Sequence, residues 1–183
     1  TNKLSLKRKM VQLRSHGITR DPNEMFSEPD GPWYYEQLDL GFNYRMTDIH
    51  AALGLSQLGR LDDLVKRRGD LAKRYSDAFA DLCLRVQKID PQNTSAWHLY
   101  VIKLNLDKLE VDRDEIFKAL RAENIGVNVH YIPVPWLTYY QKLGYKKGSW
   151  PVAEVMYSRL ISLPIWPGME DSDIEDVILA VKK

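Results

Sequence analysis

The sequence predicts an α+β domain with a small sheet. Two observations carry this. Stretches with apolar residues spaced by three and four alternate with shorter stretches rich in strand formers, in the order helix, strand, helix, strand, helix, strand, helix. Apolar residues make up 44% of the 183 residues, which is enough to fill the core of one domain or one and a half. No internal repeat or low-complexity linker interrupts the pattern.

Residues 4 to 14 read as the first helix. Leu4, Leu6, Met10, Val11 and Leu13 mark an apolar face against Lys3, Lys7, Arg8 and Lys9, and Asn2 is placed to cap it. Ser15-His16-Gly17 ends it, with Gly17 suited to a left-handed backbone. Residues 18 to 40 keep no period. Asp21-Pro22-Asn23 and Glu28-Pro29-Asp30-Gly31-Pro32 are turn material, followed by the aromatic run Trp33-Tyr34-Tyr35. Such a run in a loop packs at an interface or lines a pocket.

A long helical stretch begins at Thr47 and reaches about Leu82, through Leu58, Leu61, Leu64, Val65, Leu71, Tyr75 and Phe79. Glycine weakens a helix by about 1 kcal/mol against alanine, so Gly59 predicts a break between 59 and 63 and two helices instead of one. Gly54 would permit close helix packing, and the charged run Asp62 to Asp70 reads as a solvated face.

Leu84, Val86 and Ile89 predict a short strand, and Asp90-Pro91-Gln92-Asn93 a turn. Residues 96 to 106 predict the next strand. Asp112 caps a helix over Arg113 to Glu123 with Ile116, Phe117 and Leu120 inward, ended by Asn124-Ile125-Gly126. Val127 to Ile132 predicts a further strand, and Pro133 to Tyr140 a loop or irregular helix. Pro151 to Leu160 reads as a helix, Ser162 to Trp166 as an extended piece, and Asp171 to Val181 as a last helix capped by Ser172.

Several function classes lose support. A formal charge of +1 gives no reason to expect nucleic acid or an anionic membrane as partner. The single cysteine, Cys83, permits no internal disulfide and suits a reducing, cytoplasmic setting. No apolar run approaches membrane-spanning length, and the basic start Lys3 to Lys9 leads into an amphipathic helix instead of a signal peptide. The four histidines, His16, His50, His98 and His130, stand far apart and form no zinc signature. His16 fits a helix end better than a catalytic role, and His98 a core or sheet-edge position. No glycine-rich phosphate loop occurs.

The stretch Gly41-Phe42-Asn43-Tyr44-Arg45-Met46-Thr47-Asp48 is the most informative. Asn43, Tyr44 and Arg45 put an amide, a phenol and a guanidinium just ahead of a helix. Thr47 would cap that helix, and Asp48 suits the positive end of its dipole. Polar donors before a helix start can hold an anion, yet most capped starts bind nothing, and these residues alone leave both roles open.

Three stretches together resemble the DegT/StrS-type sugar aminotransferases, which use pyridoxal phosphate on the fold-type-I scaffold. They are Leu13-Arg14-Ser15-His16-Gly17-Ile18, then Gly41 to Ile49 with Ala51-Ala52-Leu53-Gly54, then Gly126-Val127-Asn128-Val129-His130-Tyr131-Ile132-Pro133. Ile161-Ser162-Leu163-Pro164 also fits, so the likeness runs through nearly the whole chain in order. Pro32-Trp33-Tyr34-Tyr35-Glu36 and the third stretch are most similar to the aminotransferases of pseudaminic acid synthesis.

The resemblance implies the C-terminal part of such an enzyme. Residues 1–58 would be the tail of the large cofactor-binding domain with a loop that crosses a homodimer. Residues 59–183 would be the small domain, a mainly antiparallel sheet flanked by helices. It also implies an amino transfer from glutamate to a UDP-4-keto-6-deoxy amino sugar, in surface polysaccharide or glycan synthesis. Asn43 would reach the phosphate of the neighbouring subunit's cofactor, and His130 and Tyr131 would lie near the sugar nucleotide. The family's Schiff-base lysine precedes a Thr-Asn pair matched by Thr1-Asn2, so its place falls before residue 1. Lys3, Lys7 and Lys9 all fall on the following helix, and the chain alone is expected to be inactive. Two alternatives stand beside this: a keto-sugar dehydratase of the same family, with histidine for the lysine, and a non-catalytic dimerising module.

Overall fold

The computed structural model describes residues 1–183, which form two compact units, Thr1–Gly59 and Arg60–Lys183. In the first, helix α1 (Leu4–Leu13) is followed by two-residue strands β1 (Ile18–Thr19) and β2 (Glu36–Gln37), paired antiparallel, and by helix α2 (Asp48–Leu58). The cap of α1 differs from the expectation. Lys3 occupies the cap position, and its N–H is taken by the Thr1 hydroxyl at 3.2 Å, so the Asn2 side chain has no part in it. The segment between the strands is tied by Glu36, whose carboxylate accepts the N–H groups of Phe26 (2.7 Å) and Ser27 (2.8 Å). No residue of α1 or α2 is buried within the chain.

The predicted break after Gly59 is present: α2 ends at Leu58, and α3 (Leu61–Ala78) opens the second unit. Its sheet has the order β3-β4-β5, from β3 (Leu84–Val86), β4 (Tyr100–Leu104) and β5 (Leu160–Leu163), antiparallel throughout. Three helices flank the sheet: α3, α4 (Arg113–Ala122) and α7 (Asp171–Lys182). Strand alternation puts Tyr100, Ile102 and Leu104 into the core, where they join Leu71, Tyr75 and Phe79 of α3, Leu120 of α4 and Ile174, Val177 and Ile178 of α7. The buried phenols are satisfied: Tyr75 donates to Pro164 O at 2.9 Å, and Tyr100 meets the Ser76 hydroxyl at 2.9 Å. Burial raises the pKa of both phenols, which keeps them neutral.

The opposite sheet face carries Val101 and Ser162 as one cross-strand pair, Lys103 and Leu160 as another, and Arg85 against Lys103. Helix α4 starts as expected, with Asp112 accepting from Glu115 N and Glu115 reaching back to Asp112 N, both at 2.9 Å.

Several expectations are corrected. Residues 127–132 do not form a strand: only Asn128 pairs, with Ser162, and the Asn128 side chain takes the N–H of Val129 at 2.8 Å, in competition with a ladder. The strand predicted over 96–106 starts only at Tyr100, because Trp97 turns the chain at φ +46°. His98 is accordingly exposed and outside the sheet. The helix from Pro151, α6 (Pro151–Tyr157), stops before Leu160 because Arg159 O already accepts Leu104 N at 2.8 Å. Helix α7 is capped by Glu170 instead of Ser172; Asp173, in its first turn, accepts Glu170 N at 2.8 Å. The 133–140 region contains a 3-10 turn and a short helix α5 (Thr138–Lys142). The charged face of α3 is not wholly solvated. Arg67 donates to Met169 O (2.6 Å), and Arg68 donates to Trp97 O (2.8 Å) and Ile165 O (3.0 Å), tying the turned segment down.

Candidate functional site

In the first unit, two of the sequence stretches are clasped together. Phe42 N donates to Leu13 O at 2.6 Å, His16 N to Phe42 O at 2.9 Å and Tyr44 N to Arg14 O at 2.9 Å, around an antiparallel bridge between Ser15 and Asn43. The approach is so close that two positions must be glycine. A Cβ on Gly41 would stand 2.1 Å from Gly17 N, and one on Gly17, at φ +70°, would stand 1.8 Å from Asp39 O. The Ser-His-Gly and Gly-Phe-Asn stretches are therefore two sides of one backbone contact.

The clasp sets the side chains. Extended backbone alternates, so Phe42 and Tyr44 stack on one side with ring centroids 5.0 Å apart, and Asn43 faces the other way, exposed. Four residues on, Thr47 caps α2 by accepting His50 N at 3.3 Å, and its hydroxyl also meets His50 Nδ1 at 3.0 Å. An exposed amide on a pinned backbone, with a capped helix start beyond it, offers neutral donors to an oxyanion.

Helix α2 is apolar nearly all round, and Met46, Ile49, Leu53, Leu55 and Leu58 are mostly exposed. The aromatic run is similar: Trp33 and Tyr35 are exposed, and Tyr34 is half-buried with its hydroxyl 3.3 Å from Glu36. Within the first unit nothing lies within 4 Å of a Cβ placed on Gly54, so the close packing expected there has no partner in that unit.

In the second unit, His130 is half-buried and Tyr131 exposed, their rings edge to face with centroids 4.4 Å apart. His130 Nδ1 lies 2.8 Å from the hydroxyl of Ser162 on β5. Asn128 and Ser162 exchange two backbone bonds, Asn128 N to Ser162 O at 3.1 Å and Ser162 N to Asn128 O at 2.8 Å. His130 borders a groove over the less covered sheet face, which also includes Val101, Lys103, Arg85, Met156 and Leu160. The partnership of Ser162 with His130 is not visible in sequence. Its one signal is a serine set among apolar residues in Leu160-Ile161-Ser162-Leu163.

Two other histidines serve the backbone of the first unit. His16, at φ +63°, serves the backbone turn after α1, and His50 braces the cap of α2. No three or more His, Cys, Asp or Glu side chains gather closely enough to hold a metal.

Comparison with known proteins identifies the chain. Residues 1–182 match the DegT/DnrJ/EryC1/StrS aminotransferase family. The chain belongs to that family. Among relatives of the DegT/DnrJ/EryC1/StrS family, the spore coat polysaccharide biosynthesis protein SpsC of Bacillus subtilis is 44% identical over 95% of this chain and 45% of its own length. A putative sugar aminotransferase of Streptococcus pneumoniae, Spr1654, solved in its PMP form, superposes with a TM-score of 0.85 at 28% identity, over 100% of this chain and 43% of that one. PseC of Helicobacter pylori, an aminotransferase involved in pseudaminic acid biosynthesis, superposes with a TM-score of 0.84 at 28% identity, over 100% of this chain and 46% of that one. The chain spans about half the length of the family members it matches. The fold is accordingly that of part of an aminotransferase, with small antiparallel sheets flanked by helices.

Proposed function

We propose that the enzyme containing this chain is a homodimeric, pyridoxal phosphate-dependent transaminase. It moves an amino group from glutamate to a UDP-4-keto-6-deoxy amino sugar for surface polysaccharide or glycan synthesis. The observation that carries the reading is the clasped loop: an exposed amide, Asn43, on a backbone fixed by hydrogen bonds from both sides, in a chain of this family. The likeness to SpsC and to PseC supports a sugar substrate and a role in glycan assembly. The division at Gly59 supports a boundary between the tail of the large domain and the small domain.

Pyridoxal phosphate, when bound, supplies the electron sink for amino transfer. From this chain, Asn43 holds the cofactor phosphate of the neighbouring subunit by an amide N–H, a donor type suited to a phosphate. His130 and Tyr131 contact the sugar nucleotide, the histidine through its ring N–H and the tyrosine through its exposed phenol. The bare apolar surface of α2 fits cover by the large domain or the second subunit, since a helix apolar all round is a buried helix.

The test uses the intact enzyme with glutamate and a UDP-4-keto-6-deoxy amino sugar. One 2-oxoglutarate should form for each UDP-4-amino sugar. Loss of a sugar hydroxyl without amine formation would overturn the reading in favour of the dehydratase. Asn43→Ala should weaken binding of pyridoxamine phosphate, measured by titration calorimetry, by about ten- to a hundredfold, since a hydrogen bond to a charged group is worth roughly 1.5–3 kcal/mol. Its melting temperature should hold, because the clasp uses backbone groups only. Unchanged affinity with a lowered melting temperature would make Asn43 a turn residue and nothing more.

A further inference from the structure

We propose that Ser162 is a positioning residue that donates its hydroxyl proton to His130 Nδ1 and so holds the imidazole as the tautomer protonated at Nε2. The proposal rests on the reading that His130 contacts the sugar nucleotide. It adds which proton the ring carries and what aims it.

The contact at 2.8 Å could run in either direction, and burial decides between them. Ser162 is 4% exposed, and its hydroxyl has one partner, His130. Were Nδ1–H the donor, the serine O–H would need another acceptor away from water. The nearby carbonyl of Asn128 is already engaged by Ser162 N at 2.8 Å, and the hydroxyl does not bond to it. An unmet buried donor is the costlier of the two faults; an oxygen lone pair left over is tolerated. The arrangement without an orphan proton is O–H donating to Nδ1, which leaves the ring proton on Nε2.

The serine is itself well fixed. Its N–H and C=O both bond to Asn128, and its Cα is in register with Val101 across the sheet. Its hydroxyl therefore leaves a rigid strand, and the ring it holds is braced edge-on by Tyr131. The groove beside the ring is lined by Arg85, Lys88 and Lys103 and by no carboxylate. An Nε2–H donor beside that groove suits a phosphate oxygen of a nucleotide sugar, which an Nε2 lone pair would repel; a sugar hydroxyl pairs with either.

The test is made on the intact enzyme, labelled with ring-¹⁵N histidine, with His130 identified by its loss in His130→Gln. The wild-type His130 should show a pyridine-type Nδ1 and a pyrrole-type Nε2; the opposite pattern overturns the proposal with no variant needed. Ser162→Ala should give mixed tautomers and raise KM for the sugar nucleotide about tenfold, the worth of one misplaced hydrogen bond. KM for glutamate should not move. Ser162→Thr, which keeps the hydroxyl, should restore both tautomer and KM. If Ser162→Ala leaves the tautomer unchanged, Ser162 has no positioning role. If His130→Gln leaves KM for the sugar nucleotide unchanged, the contact of His130 with substrate fails, whatever Ser162 does.

Discussion

Gly41→Ala tests the clasp that carries Asn43. The added Cβ would lie 2.1 Å from Gly17 N, 2.5 Å from the His16 carbonyl carbon and 2.7 Å from Leu13 O. All three are backbone atoms, so no side chain can swing aside, and the first contact must open to at least 3.0 Å. That movement exceeds what the bonds from Phe42 N, His16 N and Tyr44 N, at 2.6–2.9 Å, can absorb. At about 1 kcal/mol net for each bond, their loss amounts to roughly 3 kcal/mol, or about a hundredfold in the local opening equilibrium. Amide hydrogen exchange in the intact enzyme reads this directly. Peptides covering His16, Phe42 and Tyr44 should exchange about a hundredfold faster in Gly41→Ala, while those of β4 stay unchanged. Pyridoxamine phosphate affinity should fall with them, since Asn43 loses its fixed backbone. Unchanged exchange at those three amides would refute the claim that the clasp holds the loop.

Other outcomes follow from the same structure. Gly69→Ala lies inside α3 with nothing within 4 Å of the new Cβ, so thermal unfolding should show a gain of about 1 kcal/mol; a loss would mean that another surface packs there. The Glu36 carboxyl is held below its ordinary value of 4.5, first by the Phe26 N–H and also by Ser27 N–H and the Tyr34 hydroxyl. Its stabilisation of the 26–36 loop is therefore complete above pH 4.5 and lost as pH falls through the lowered folded value. Exchange at Phe26 and Ser27, corrected for intrinsic rates, should rise on acidification in the wild type. In Glu36→Gln it should be fast and nearly flat; an equally steep profile would sink the assignment. The chain by itself should self-associate through α2, where Ile49 is 82% exposed and Leu55 72%. Sedimentation should show concentration-dependent assembly that Ile49→Glu with Leu53→Glu abolishes, and a clean monomer at high concentration would count against it.

Much of the fold was legible because local signals agreed with one another. The Thr47 cap, the Asp112 cap and the weak point after Gly59 act over four residues or fewer, and all three stand in the structure. The misread places have two causes, a local side-chain or backbone feature that broke the pattern and a distant partner that overrode it. Val127 to Ile132 has strand composition, yet Asn128 bonds locally to Val129 and only one residue finds β5. Arg159 looked like the continuation of a helix until β4 claimed its carbonyl. Arg68 looked solvated because nothing nearby in sequence accepts its protons; its acceptors, Trp97 and Ile165, lie 29 and 97 residues away.

The candidate site divides along the same line. The sequence by itself determined which chemical groups are present: the amide, phenol and guanidinium of Asn43-Tyr44-Arg45 before a capped helix, and His130-Tyr131 after a helix-ending glycine segment. Those depend on side-chain identity and on spacing along the backbone. Only the tertiary structure decided that Gly41 must be bare to lie against Gly17 N, that Gly17 must be bare to lie against Asp39 O, and that His130 is held by a serine 32 residues further on. The physical reason is that each of these is a contact between atoms remote in sequence, set by how strands and loops cross in space, and no periodicity or propensity of either segment encodes its partner.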